Sequence, residues 1–133
     1  MAKKILIADD EPDVVKVLGM RIMANGYNVI VAYDGIQIIE LAREEKPDLI
    51  IHDIKMPGAD DYSVFKSLKT SANTMSIPIV FYSGLPPELV QEKAARLGAG
   101  TFISKSDDPA EIMAKITELL KQSQSQPIKQ TQQ

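Results

Sequence analysis

Two hydrophobic periodicities alternate along the chain. Short runs rich in β-branched residues occur at "KILIA" (4–8), "NVIVA" (28–32), "DLIIHD" (48–53), "IPIVFY" (77–82) and "GTFISK" (100–105). Most are nearly continuous apolar runs, as expected of strands covered on both faces. Between them the apolar residues repeat at helical spacing. Val14, Leu18 and Ile22 share one face, and so do Ile112, Ile116, Leu119 and Leu120. Pro12 suits the first turn of a helix. "DGIQ" (34–37) and "DPAE" (108–111) have the form of capping boxes, with Pro109 at the first position of the last helix. Pro86 and Pro87 introduce a segment running to Leu97, and "NG" (25–26) and "LGAG" (97–100) mark helix ends.

A regular (βα)5 alternation predicts an α/β fold. Right-handed crossovers then give a doubly wound, five-stranded parallel sheet of order 2-1-3-4-5, flavodoxin-like in topology. After Lys121 the pattern fails. "QSQSQPIKQTQQ" has six Gln and one aliphatic residue, so residues 1–121 are expected to form the domain and 122–133 a disordered tail.

Composition narrows the function. With 133 residues, 44% hydrophobic content fits one domain with a core. A net charge of −3 offers no basic field for phosphate backbones, so direct nucleic-acid binding is not expected. There is no cysteine, hence no disulfide or thiolate metal site. No apolar run approaches the ~18 residues of a membrane span. No membrane association is expected, and the expected setting is the cytoplasm. The methionines at 20, 23, 56, 75 and 113 are expected to pack inside.

The candidate chemistry lies at strand ends. Ligands of open α/β sheets bind beyond the carboxyl ends of the strands. Strand 1 ends at Asp9 and Asp10, strand 3 at Asp53, strand 4 is followed by Ser83, and strand 5 ends at Lys105. The predicted strand order brings these ends together. Three crowded carboxylates are costly without a cation. All-oxygen ligands favour a hard ion, Mg²⁺ before Ca²⁺. Lys105 and Ser83 would complete a site for a phosphoryl dianion, and a carboxylate can act as the nucleophile toward phosphorus.

These stretches resemble a known family. "ILIADDEPDVVKVL", "PDLIIHDIKMPGADD", "IPIVFYSG" and "GAGTFISK" resemble, in order and spacing, the response-regulator receiver domain of two-component signalling, in its single-domain, chemotaxis-regulator form. The resemblance covers roughly residues 3–121. It implies that Asp53 is the phosphoacceptor, that Asp10 holds Mg²⁺ directly and Asp9 through water, and that the Lys55 carbonyl is a further metal ligand. It implies that Ser83 and Lys105 bind the phosphoryl oxygens, and that Phe102 turns inward when Ser83 moves. The implied donor is a sensor histidine kinase or a histidine phosphotransfer protein. The implied output is an effector protein bound at the face of helix 4, strand 5 and helix 5. Such a domain is no enzyme beyond its own phosphoryl transfer and dephosphorylation. Two alternatives share the fold: a constitutive interaction module that is poorly phosphorylated, and a flavin-binding protein, which the acids and the 5% aromatic content disfavour.

Three positions depart from the family pattern. Ser106 stands where proline usually follows the lysine, Asp61 where glycine is usual, and His52 where an aliphatic residue precedes the phosphoacceptor. Strand alternation points His52 away from the face of Asp53. A trans Lys105–Ser106 bond is expected, since cis costs roughly 2.5–4 kcal/mol without proline.

Overall fold

The computed structural model describes residues 2–53, 61–97 and 102–131, with side chains left undescribed at 61, 62, 93, 94, 97 and 123–131. The elements alternate as the apolar pattern predicts. They are β1 (Lys4–Ala8), α1 (Pro12–Ala24), β2 (Asn28–Ala32), α2 (Gly35–Glu45), β3 (Leu49–Asp53), α3 (Asp61–Thr70), β4 (Ile79–Ser83), α4 (Pro87–Leu97), β5 (Phe102–Ser104) and α5 (Pro109–Thr131). The five strands form one sheet in the order β2-β1-β3-β4-β5, with the four neighbouring pairs all parallel.

Side-chain alternation splits the core into two layers. Leu6, Ala8, Ile50 and Phe81 face one side, joined by Ile38 of α2, Val64 and Leu68 of α3 and Val90 of α4. Ile5, Ile7, Leu49, Ile51, Val80, Tyr82 and Ile103 face the other, against Val15, Leu18 and Ile22 of α1 and Ile112, Ile116 and Leu120 of α5. Each buried aliphatic side chain contributes roughly 1.5–3 kcal/mol relative to exposure, so the sheet is held from both faces.

Local signals explain the helix ends. The Asp34 carboxylate accepts a hydrogen bond from Gln37 N at 2.9 Å, and the Gln37 side chain accepts one from Tyr33 N at 2.7 Å. Asp108 accepts from Ala110 N at 3.3 Å, just ahead of Pro109. Gly26 closes α1 at φ 91°, a conformation that suits glycine. The left-handed C-cap of α2 falls on Lys46 (φ 48°), a position that no glycine marks.

The backbone is helical to Thr131, beyond the expected domain end at residue 121, and Leu120 is the last buried residue among the described ones. One expectation, the packing of the methionines, needs correction. Met20, Met23 and Met75 are exposed rather than packed inside, Met113 packs against the core, and Met56 lies outside the described residues. Among the described residues no helix is long and apolar enough to cross a membrane, and there is no cis peptide bond.

Candidate functional site

The carboxyl ends of β1, β3, β4 and β5 meet at one cleft. Asp9 extends the β1–β2 pairing, its N–H donating to Ala32 O at 3.1 Å. Its Oδ1 accepts from Glu11 N at 3.0 Å, a short turn that leaves Oδ2 facing inward. Asp9 is fully buried, Asp53 is almost so, and Asp10 is exposed on the rim. One carboxylate oxygen from each of the three lies within 4.8 Å of the others. Ser83 is buried at the end of β4, and its Oγ accepts from Leu85 N at 3.0 Å, leaving its proton available to donate.

Lys105 supplies the opposite charge. Its N–H donates to Ser83 O at 2.8 Å, which fixes the start of the side chain beside β4. Its Nζ lies 2.9 Å from Asp9 Oδ2, 3.2 Å from Glu11 Oε1 and 3.7 Å from Asp53 Oδ1. Burial alone would pull the Lys105 ammonium down. The close Asp9 carboxylate, the field of Asp53 and the bond to Glu11 outweigh it, so the ammonium is held above its ordinary value. The ammonium is thus the charge partner of the buried Asp9 Oδ2. Three clustered carboxylates facing a single ammonium still form an all-oxygen, net-negative set that suits a hard cation.

All five side chains expected at the strand ends are therefore brought together. Lys55 lies outside the described residues. Phe102 is half-buried opposite Phe81 in the β4–β5 pairing and packs on the α2–α4 side of the core. Glu11 was not anticipated as a Lys105 partner, although the acidic run "DDE" was its visible signal. The Tyr82 ring, 5.5 Å from Lys105 Nζ, had no sequence signal beyond its aromaticity.

Residues 5–117 match the family described as the response regulator receiver domain. The chain belongs to that family. Receiver domains serve phosphorylation-activated signalling and interact with histidine kinases and effectors. Solved receivers share the fold. A CheY-like receiver domain protein from Methanospirillum hungatei is 22% identical, covers 94% of this chain and 98% of its own, and superposes with a TM-score of 0.81. The BeF3-activated N-terminal receiver domain of RstA from Klebsiella pneumoniae is 27% identical over 89% of this chain and 98% of its own, with a TM-score of 0.80. The receiver domain of a sensor histidine kinase from Pseudomonas aeruginosa is 23% identical over 90% and 98%, with a TM-score of 0.82, and carries a magnesium ion in its active-site cleft.

The departures of this receiver have local accounts. His52 is buried on the side of the sheet away from Asp53, its ring centroid 5.4 Å from that of Phe81 with the planes tilted at 43°. Burial pushes its imidazole down to about 4. Ser106 bonds back to Ser104, Oγ to Oγ at 2.7 Å and N to Oγ at 3.2 Å. Asp107 accepts from Ser104 N at 3.3 Å and pairs with Lys115 of α5 at 3.2 Å. A polar turn thus shapes the loop where the family usually has proline. Asp61 is the first residue of α3.

Proposed function

We propose that Asp53 of this receiver accepts a phosphoryl group from a histidine kinase or histidine phosphotransfer protein, and that the reaction depends on Mg²⁺. The carrying observation is the convergence of the three carboxylates, with Asp9 fully buried and Asp53 nearly so, beside the Lys105 ammonium. Asp10, Asp53 and the Lys55 carbonyl would hold the ion, with Asp9 acting through water. When bound, the ion would neutralise phosphoryl charge as the dianion approaches carboxylates. A carboxylate oxygen of Asp53 attacks phosphorus in line as the phosphorus–nitrogen bond to the donor imidazole breaks, and the imidazole leaves with the bonding pair. The Lys105 ammonium and the Ser83 hydroxyl donate to the transferred oxygens. Phe102 then turns inward, and the face of α4, β5 and α5 changes its affinity for an effector protein. The signalling domain ends near Lys121, just after Leu120, the last buried residue among the described ones, and acts in the cytoplasm.

The test is intact mass after incubation with acetyl phosphate and Mg²⁺. One phosphoryl group should appear, and it should vanish in Asp53→Asn and in EDTA. Labelling that survives EDTA would overturn the metal dependence. No labelling at all would favour the constitutive interaction module.

A further inference from the structure

Strand register places Tyr82 directly beside Asp53, on the strand that Lys105 must cross to reach it. Asp53 of β3 is paired with Tyr82 of β4, and Tyr82 with Ile103 of β5. Residues 53, 82 and 105 have the parity of the α1–α5 side of the sheet, so Lys105 reaches the carboxylates only by crossing the end of β4. Two features at the carboxyl end of β4 line that path. Gly84 has no side chain, and a Cβ built there would lie 3.7 Å from Lys105 Cδ, in ordinary contact with the stem. The Tyr82 ring lies beneath the ammonium, its centroid 5.5 Å from Nζ. The ring itself is fixed: Tyr82 is only 6% exposed and belongs to the same cluster as Val15, Leu18 and Ile112.

We infer that Tyr82 is a positioning residue for Lys105, its ring face holding the ammonium over the carboxylate cluster. A lysine stem has four rotatable bonds, so ion pairing alone leaves the head mobile among Asp9, Glu11 and Asp53. An aromatic face within about 6 Å attracts a cation and does not compete as a base. Burial pushes the Tyr82 phenol up, so the ring stays neutral at working pH. The tyrosine supplies from the neighbouring strand a restraint on the lysine head, while the Ser104–Asp107 turn shapes the main chain beyond it. The functional consequence rests on the proposed role of Lys105 in phosphoryl transfer; the placement does not.

Two readouts separate these. In lysine-labelled protein, the Lys105 Hε resonances, assigned by their loss in Lys105→Ala, should be shifted upfield by the ring current. The shift should persist in Tyr82→Phe and collapse in Tyr82→Leu. The acetyl phosphate labelling rate at saturating Mg²⁺ should fall by roughly three- to tenfold in Tyr82→Leu and recover in Tyr82→Phe. In a Lys105→Ala background, Tyr82→Leu should slow labelling no further. A Tyr82→Leu protein that folds and keeps the upfield resonances would overturn the inference. So would an equal rate loss in the Lys105→Ala background, which would mark Tyr82 as a packing residue only. Absence of labelling in the unsubstituted chain would defeat the phosphoacceptor reading, and the resonance shift would still decide the placement.

Discussion

The Lys105 ammonium stands 3.7 Å from Asp53 Oδ1, reached from β5 across the whole width of β4. The same ammonium is closer to Asp9, so it neutralises the buried acids before any cation is added. Removing it tests how much the acids depend on it. Lys105→Ala should destabilise the metal-free protein by about 1–3 kcal/mol, the cost of leaving buried charged acceptors unpaired. Urea denaturation should show this loss, and saturating Mg²⁺ should restore part of it. The linkage sign follows from the raised pKa. The stabilisation is fully present below the ordinary lysine value of 10.5 and is lost as pH rises through the higher folded value.

Asp10→Ala should act in the opposite direction in the absence of metal. Asp10 is exposed and lies among like charges, so its removal should raise metal-free stability by roughly a few tenths of a kcal/mol. Affinity for Mg²⁺ should fall at the same time. Calorimetric titration together with a thermal melt would check both, and a melting point that drops without metal would contradict the expectation.

His52 should give the protein a pH-dependent stability. Its folded pKa is lowered to about 4 from an ordinary 6.5, so between these values the unfolded chain binds a proton that the folded chain does not. Stability should therefore fall as pH drops from about 6.5 to about 4, by about 3 kcal/mol at ~1.4 kcal/mol per pH unit. In His52→Leu that contribution to the slope should be missing. Denaturation midpoints of the two proteins at pH 7 and pH 4.5 make the comparison.

Ser106→Pro should lower stability despite restoring the residue usual in the family. Proline has no N–H to donate to Ser104 Oγ and no hydroxyl to bond it, so two interactions of the turn disappear. A loss of about 1 kcal/mol is expected, visible as a lower thermal midpoint. An unchanged or higher midpoint would show that these bonds contribute nothing net.

The sequence by itself determined the architecture. The apolar runs at 4–8 and 48–53 form strands buried on both faces, the run at 28–32 forms the half-buried edge strand β2, and the helical faces between them supply the cover. Together with short connections, this leaves few sheet orders, so the convergence of Asp9, Asp10, Asp53, Ser83 and Lys105 was legible from strand ends. What followed the helical pattern was less secure. A residue's period says which face it shares, not whether another element covers that face, so Met20 and Met23 turned out exposed. Only the tertiary structure decided the contacts that depend on register. The partnering of Glu11 with Lys105 and the Tyr82 ring beneath the ammonium join residues far apart in the chain. Distances of a few ångströms across three strands are set by strand stagger and side-chain packing, neither of which a local pattern encodes.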